Sequence, residues 1–141
     1  MTRILAFFVC QTCAEWCRVE GSNFTVGGNF TVGVLEGRAI ANLIKQELDR
    51  CPGSEEEPIV IVVGGSVSKD HKASLTNLVE LNPGTEIAFC QDWEVVRAMG
   101  AARRIPGQLA QTMREQGLIS AKAPARWAAA MALDMAQRLS S

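Results

Sequence analysis

The chain of 141 residues contains one histidine, His71, and that scarcity closes off two kinds of chemistry. A metal site rich in imidazole and an acid–base pair of two histidines each need more than one ring. Long apolar runs are missing as well: none approaches the roughly 18 residues of a membrane span. The run near the start, Ile4 to Val9, is shorter than the roughly 7–15 apolar residues of a secretory signal core. Val9 before Cys10 is also not the small residue that a lipoprotein cleavage site wants. An excess of charge of one sign is lacking too. Lys and Arg number 14 against 15 Asp and Glu, so no global field draws the chain to nucleic acid or a membrane. Neither Gly-x-Gly-x-x-Gly nor Gly-Lys-Ser/Thr occurs, which removes the dinucleotide fingerprint and the P-loop.

What is present reads as an ordinary globular chain, 48% apolar and 21% charged. A chain of this length hides about 68–70% of its unfolded surface, and we expect a single domain over residues 1–141. The five cysteines, Cys10, Cys13, Cys17, Cys51 and Cys90, are odd in number and three lie close together, a poor disulfide framework. Reduced thiols and a cytoplasmic protein are expected.

Ile4 to Val9 is a solid apolar block, as in a strand buried on both faces. Ile59 to Val63 is β-branched, opens after Pro58 and stops at Gly64-Gly65. Glu86 to Cys90 follows the turn signal Asn82-Pro83-Gly84. Helical spacing marks residues 37–50, ended by Cys51-Pro52-Gly53, then residues 68–81. Trp93, Val96 and Met99 mark another helix, with Asp92 as its N-cap. Residues 22–34 nearly repeat Asn23-Phe24-Thr25-Val26-Gly27 as Asn29-Phe30-Thr31-Val32-Gly33. They read as a hairpin turning at Gly27-Gly28 or as a glycine-rich loop.

The alternation of strand and helix predicts a three-layer α/β domain with a parallel, Rossmann-like or flavodoxin-like sheet in residues 1–105. A helical pair over 106–141 follows. Its stripe Trp127, Met131, Met135 and Leu139 either covers the sheet or makes a homodimer. Residues 1–92 hold 7 basic and 12 acidic side chains, a net of −5. Residues 93–141 hold 7 and 3, a net of +4.

Parallel sheets bind ligands outside the carboxyl ends of their strands. Those ends would deliver Cys10-Gln11-Thr12-Cys13, Gly64-Gly65-Ser66-Val67-Ser68 and Cys90-Gln91-Asp92. Backbone N–H groups at a glycine turn suit an anion. The leading expectation is therefore a small phosphate-bearing or nucleotide-like ligand, with hydrolase or transferase activity as an extension. Gln11, Thr12, Gly64, Gly65, Ser66, Ser68 and Gln91 are the candidate binding residues, and Cys10, Cys13 and Asp92 the candidate catalytic ones. No metal ligand is assigned and no cofactor named. A small anionic ligand and a homo-oligomer are the expected partners, and neither nucleic acid nor a membrane is expected.

Two other classes compete. Cys10-x-x-Cys13 would sit where a strand meets a helix, with Cys13 and Cys17 on one helical face. A helix N-terminus favours the thiolate, and the arrangement resembles that of thioredoxin-like redox proteins. Thr85-Glu86-Ile87-Ala88-Phe89-Cys90, followed by Met99-Gly100 and a helix, also resembles the DsrE-like sulfur-relay proteins. That resemblance spans about residues 1–105 and implies Cys90 as a sulfur carrier. A Cys–His pair would have to use His71. The third class is a nucleic-acid-binding regulatory module. Residues 95–119 loosely resemble a helix-turn-helix, with Arg97, Arg103, Arg104 and Arg114 available for phosphates.

Overall fold

The computed structural model describes residues 2–9, 13–31, 36–120 and 126–140. The three solid apolar blocks form strands β1 (Arg3–Val9), β4 (Ile59–Gly65) and β5 (Thr85–Phe89), parallel and side by side. Alternate residues of β1 and β4 serve opposite faces. Ile4, Ala6, Val60 and Val62 enter one core, and Leu5, Phe7, Ile59, Ile61 and Val63 the other. Both faces are covered, so neither strand shows an apolar–polar alternation.

The sheet is not wholly parallel, and here the expected Rossmann-like or flavodoxin-like arrangement is corrected. Between β1 and the first helix lie two more strands, β2 (Cys13–Glu20) and β3 (Asn23–Thr31), both antiparallel to their neighbours. The five strands run in the order β3-β2-β1-β4-β5. Thus Cys13 begins a strand, where a helix was expected, and Cys17 lies in its interior. The four-residue separation of Cys13 and Cys17 suits a helix, but the neighbouring residues obey period two. Cys17 and Val19 point into one core, while Arg18 reaches Glu47 on the opposite face.

The hairpin turn is at Gly21-Ser22, with Gly21 at φ 63°, and not at Gly27-Gly28. Those glycines lie within β3, where the register against β2 shifts between Ala14 and Glu15. A Cβ on Gly27 would stand 2.5 Å from the Trp16 indole. Glycine there lets a tryptophan lie flat over the neighbouring strand.

Helices α1 (Glu36–Arg50) and α2 (Lys69–Glu80) cover one face, through Ile40, Ile44, Leu48, Leu75 and Val79. The other face carries α3 (Asp92–Ala102), α4 (Gln108–Glu115) and α5 (Trp127–Ser140). The three-layer expectation holds in that sense. Helix α5 lies over β1, β2 and α3, and Ala128 to Leu133 are all buried. Its alanines permit close approach to the sheet. The stripe of Trp127, Met131 and Met135 is therefore directed at the sheet layer, and Leu139 is exposed.

At the amino ends of β1 and β4 the layers are pinned by charge. Arg3, 3% exposed, donates to Glu47 Oε1 at 2.9 Å and to the Cys51 carbonyl. Arg18 and Arg50 also donate to Glu47, at 3.2 and 2.8 Å, and Arg50 reaches Glu20 at 3.5 Å. Burial pushes the Glu47 carboxyl up, but the hydrogen bonds from Arg50 and Arg18 outweigh it and hold the group below the ordinary carboxylate range.

Candidate functional site

The opposite ends of the same strands open into a cleft of about 360 Å³. Phe8 and Val9 come from the end of β1, and Gly65 and Ser66 from the end of β4. Asp92, Val95 and Val96 come from the first turns of α3, and Trp127 begins α5. Two polar contacts fix this corner. The Ser66 N–H donates to the Val9 carbonyl at 2.8 Å, and Cys90 N–H donates to the Val63 carbonyl at 2.8 Å. The three strand ends are thereby held in one row, as the parallel pairing predicts.

Gly65 has φ 92°, and a Cβ there would lie 2.0 Å from the Val9 carbonyl oxygen. Gly64 lies beneath the helices, where a Cβ would meet Val95 at 2.8 Å and Met131 at 3.0 Å. Both glycines therefore permit close packing at this corner. Ser68 caps α2, its hydroxyl accepting from His71 N–H at 3.2 Å. Gln91, not Asp92, is the N-cap of α3, its N–H donating to the Glu94 carboxylate at 3.1 Å. Asp92 is thereby left as the first helical residue, exposed and lining the cleft.

Of the sequence-predicted residues, Gly65, Ser66 and Asp92 line this cleft, Gly64 underlies it, and Ser68 and Gln91 cap the flanking helices. Cys10, Gln11 and Thr12 lie outside the described residues, as does the side chain of Cys13. The aromatic part of the site went unseen in the sequence. Phe8 and Trp127 stack with ring centroids 5.6 Å apart and an interplanar angle of 29°. Trp127 is brought there by Glu15, whose Oε1 accepts the Ala128 N–H at 2.8 Å and so caps α5 from β2. On α3 the expected buried face of Trp93, Val96 and Met99 is rotated. Val95, Ala98, Met99 and Ala102 are buried, whereas Trp93 and Val96 are 62% and 61% exposed. Trp93 is held in place by its indole N–H donating to Gln91 Oε1 at 2.9 Å.

Two of the thiols, Cys17 and Cys90, point away from reactivity. Cys17 is fully buried, and burial, reinforced by Glu15 and opposed by Arg126, pushes its pKa up to about 12. Burial and then the Glu94 charge also raise Cys90, against Arg97. A sulfur carrier or redox nucleophile works as the thiolate, which both environments disfavour. Cys90 packs in the α3–α5 layer, whereas α2, which carries His71, lies on the opposite face of the sheet. A Cys90–His71 pair is thus excluded by the layers. Among the described residues, no group of three His, Cys, Asp or Glu could hold a metal ion.

The arginines offered to phosphates are largely engaged within the fold. Arg97 meets Asp134 at 3.5 Å, Arg103 donates to the Ser120 carbonyl at 3.0 Å, and Arg114 donates to the Ala102 and Ile105 carbonyls. The helix-turn-helix reading loses its phosphate ligands accordingly, apart from Arg104.

No family model matches the chain, and no curated protein is detectably similar to it in sequence. Its fold is known. The structure is similar to that of Thermus thermophilus RuvC in complex with a Holliday junction substrate, with a TM-score of 0.55, 14% identity, and 99% of this chain and 96% of that one covered. It is also similar to YeaZ from Pseudomonas aeruginosa, with a TM-score of 0.46 and 15% identity over 84% of this chain. The match spans about half of the YeaZ chain, 51%. The fold is thus mixed α/β, a five-stranded sheet with helices, like that of the RuvC chain. The expectation against a nucleic-acid partner is corrected here, because the similar RuvC chain, matched over nearly its whole length, is in complex with a Holliday junction. No described helix is long and apolar enough to cross a membrane.

Proposed function

We propose that this chain is a nucleic-acid-binding domain that takes an unpaired base into the cleft at the carboxyl ends of β1 and β4. The observation that carries the reading is the stacked pair Phe8 and Trp127 in the wall of that cleft. Base stacking on an aromatic side chain contributes about 1–3 kcal/mol per base, and the cleft has the apolar lining this interaction needs. The nucleotide-like ligand expected from the sequence is kept in this form, with a change of emphasis. The described lining contains a carboxylate and no cation, so it suits the base and leaves the phosphates outside. The kinship of fold with a DNA-bound protein supports the same reading.

For hydrolase or transferase chemistry the described lining offers one carboxylate, Asp92, and one hydroxyl, Ser66. Two-metal phosphoryl transfer needs several clustered carboxylates to hold its cations, and this donor set does not fit that arrangement. The proposed role is recognition, with no turnover assigned. Titration with a single-stranded oligonucleotide of mixed sequence, followed by tryptophan fluorescence, tests it. Saturable quenching that W127A weakens about tenfold is expected. No spectral change with any oligonucleotide at low salt overturns it.

A further inference from the structure

We infer that Asp92 makes the cleft selective for guanine, an inference that rests on the base-binding reading above. The argument starts from the polar groups that the fold leaves unspent. In the described lining the side-chain hydrogen-bonding groups are the Ser66 hydroxyl, the Trp127 indole N–H and the Asp92 carboxylate, and of these Asp92 alone can only accept. Ser66 is exposed, and its N–H is already given to the Val9 carbonyl. Asp92 has been released from capping, because Gln91 and Glu94 complete the start of α3 between them. A carboxylate only accepts hydrogen bonds, and its two oxygens best meet two parallel N–H donors.

The four bases present different edges to such a group. Guanine carries two adjacent donors, N1–H and the N2 amino group. Adenine and cytosine each place one amino donor beside a ring-nitrogen acceptor, which a carboxylate repels. Uracil and thymine carry one N–H between two carbonyl acceptors. Of the common bases, guanine alone matches both oxygens. The Ser66 hydroxyl, which can donate or accept, remains for a further contact on the same ring. At about 360 Å³ the cleft is at the small end of ligand pockets, which fits one base rather than a dinucleotide.

Guanosine, inosine, adenosine and uridine are titrated separately into the full chain and into D92N, with tryptophan fluorescence as the readout. Nucleosides are used so that phosphate charge plays no part. Guanosine should bind the wild type about tenfold more tightly than inosine, which lacks the N2 amino group, and more tightly still than adenosine or uridine. D92N should lose that preference while keeping its circular dichroism and its weak binding of adenosine. If all four nucleosides bind the wild type equally, or D92N keeps the preference, guanine selection is wrong and the aromatic cleft stands. If none binds the wild type, both fall.

Discussion

The two ends of β1 and β4 are built from the same strands and solve opposite problems. At the amino end, four charged groups, Arg3, Arg18, Arg50 and Glu47, converge where the sheet meets α1, and each guanidinium reaches the one carboxylate. At the carboxyl end, two aromatic rings stack, a tryptophan stands in solvent, and the exposed residues Ser66 and Asp92 line a cleft. A charge network whose members are paired with one another fixes geometry. Polar atoms left unspent around apolar surface are what recognition uses. Partnering, more than residue type, separates the structural end from the candidate site.

That contrast can be broken from either side. The largest effect should come from E47Q, which leaves Arg3 buried against a neutral partner. Breaking a buried pair costs about 3–5 kcal/mol, and urea unfolding at neutral pH measures it. The Glu47 carboxyl is held low in the folded chain. Its contribution is therefore in force above the unfolded carboxyl's pKa and is lost as the pH falls through the folded value. Wild type and E47Q should converge in acid. A constant gap at all pH values would show that lost packing, and not charge, separates them.

G65A comes next. It places a Cβ against the Val9 carbonyl at φ 92° and should cost on the order of 3 kcal/mol by thermal unfolding. W127A should cost less stability, about 1–2 kcal/mol for a half-buried ring, and lower oligonucleotide affinity about tenfold. E47Q should leave affinity unchanged where the protein is folded, so the two variants separate the two ends of the sheet. E15A removes the cap on α5 and should cost about 1 kcal/mol, with some loss of affinity as Trp127 loosens. The smallest effect belongs to Cys17, whose pKa of about 12 should leave it unlabelled by iodoacetamide at pH 8. Labelling within minutes in the folded chain, read by mass spectrometry, would reopen the sulfur chemistry.

These regions also differ in how legible they were. β1, β4 and β5 could be read because burial on both faces leaves a solid apolar block, and the helix expected at 37–50 spans Glu36–Arg50. β2 was misread because its polar face is consumed by tertiary ion pairs: Arg18 and Glu20 look solvent-bound until Glu47 and Arg50 arrive from α1. Residues 22–34 read as a hairpin turning at Gly27-Gly28 or as a loop, whereas Gly27 lies inside β3 because it answers to Trp16, a partner on another strand. In the cleft, the rule for strand ends located Gly65, Ser66 and Asp92. It could not locate Phe8 and Trp127, since each belongs to an apolar stretch that reads as core. Their meeting depends on Glu15 holding the far helix, a contact invisible to any local pattern.

The place of β1 in the sheet has a consequence for how the chain assembles. On one side it pairs with β2, its neighbour in sequence, and on the other with β4, which arrives only after β3 and α1. Short loops close much faster than long ones, so the β1–β2–β3 meander should form early and wait. Until β4 docks, the backbone of β1 along Phe7 and Val9 is an unsatisfied edge that another molecule's strand can occupy. A variant that loosens α1, such as E47Q, would prolong this interval, and its first symptom in refolding should be concentration-dependent turbidity.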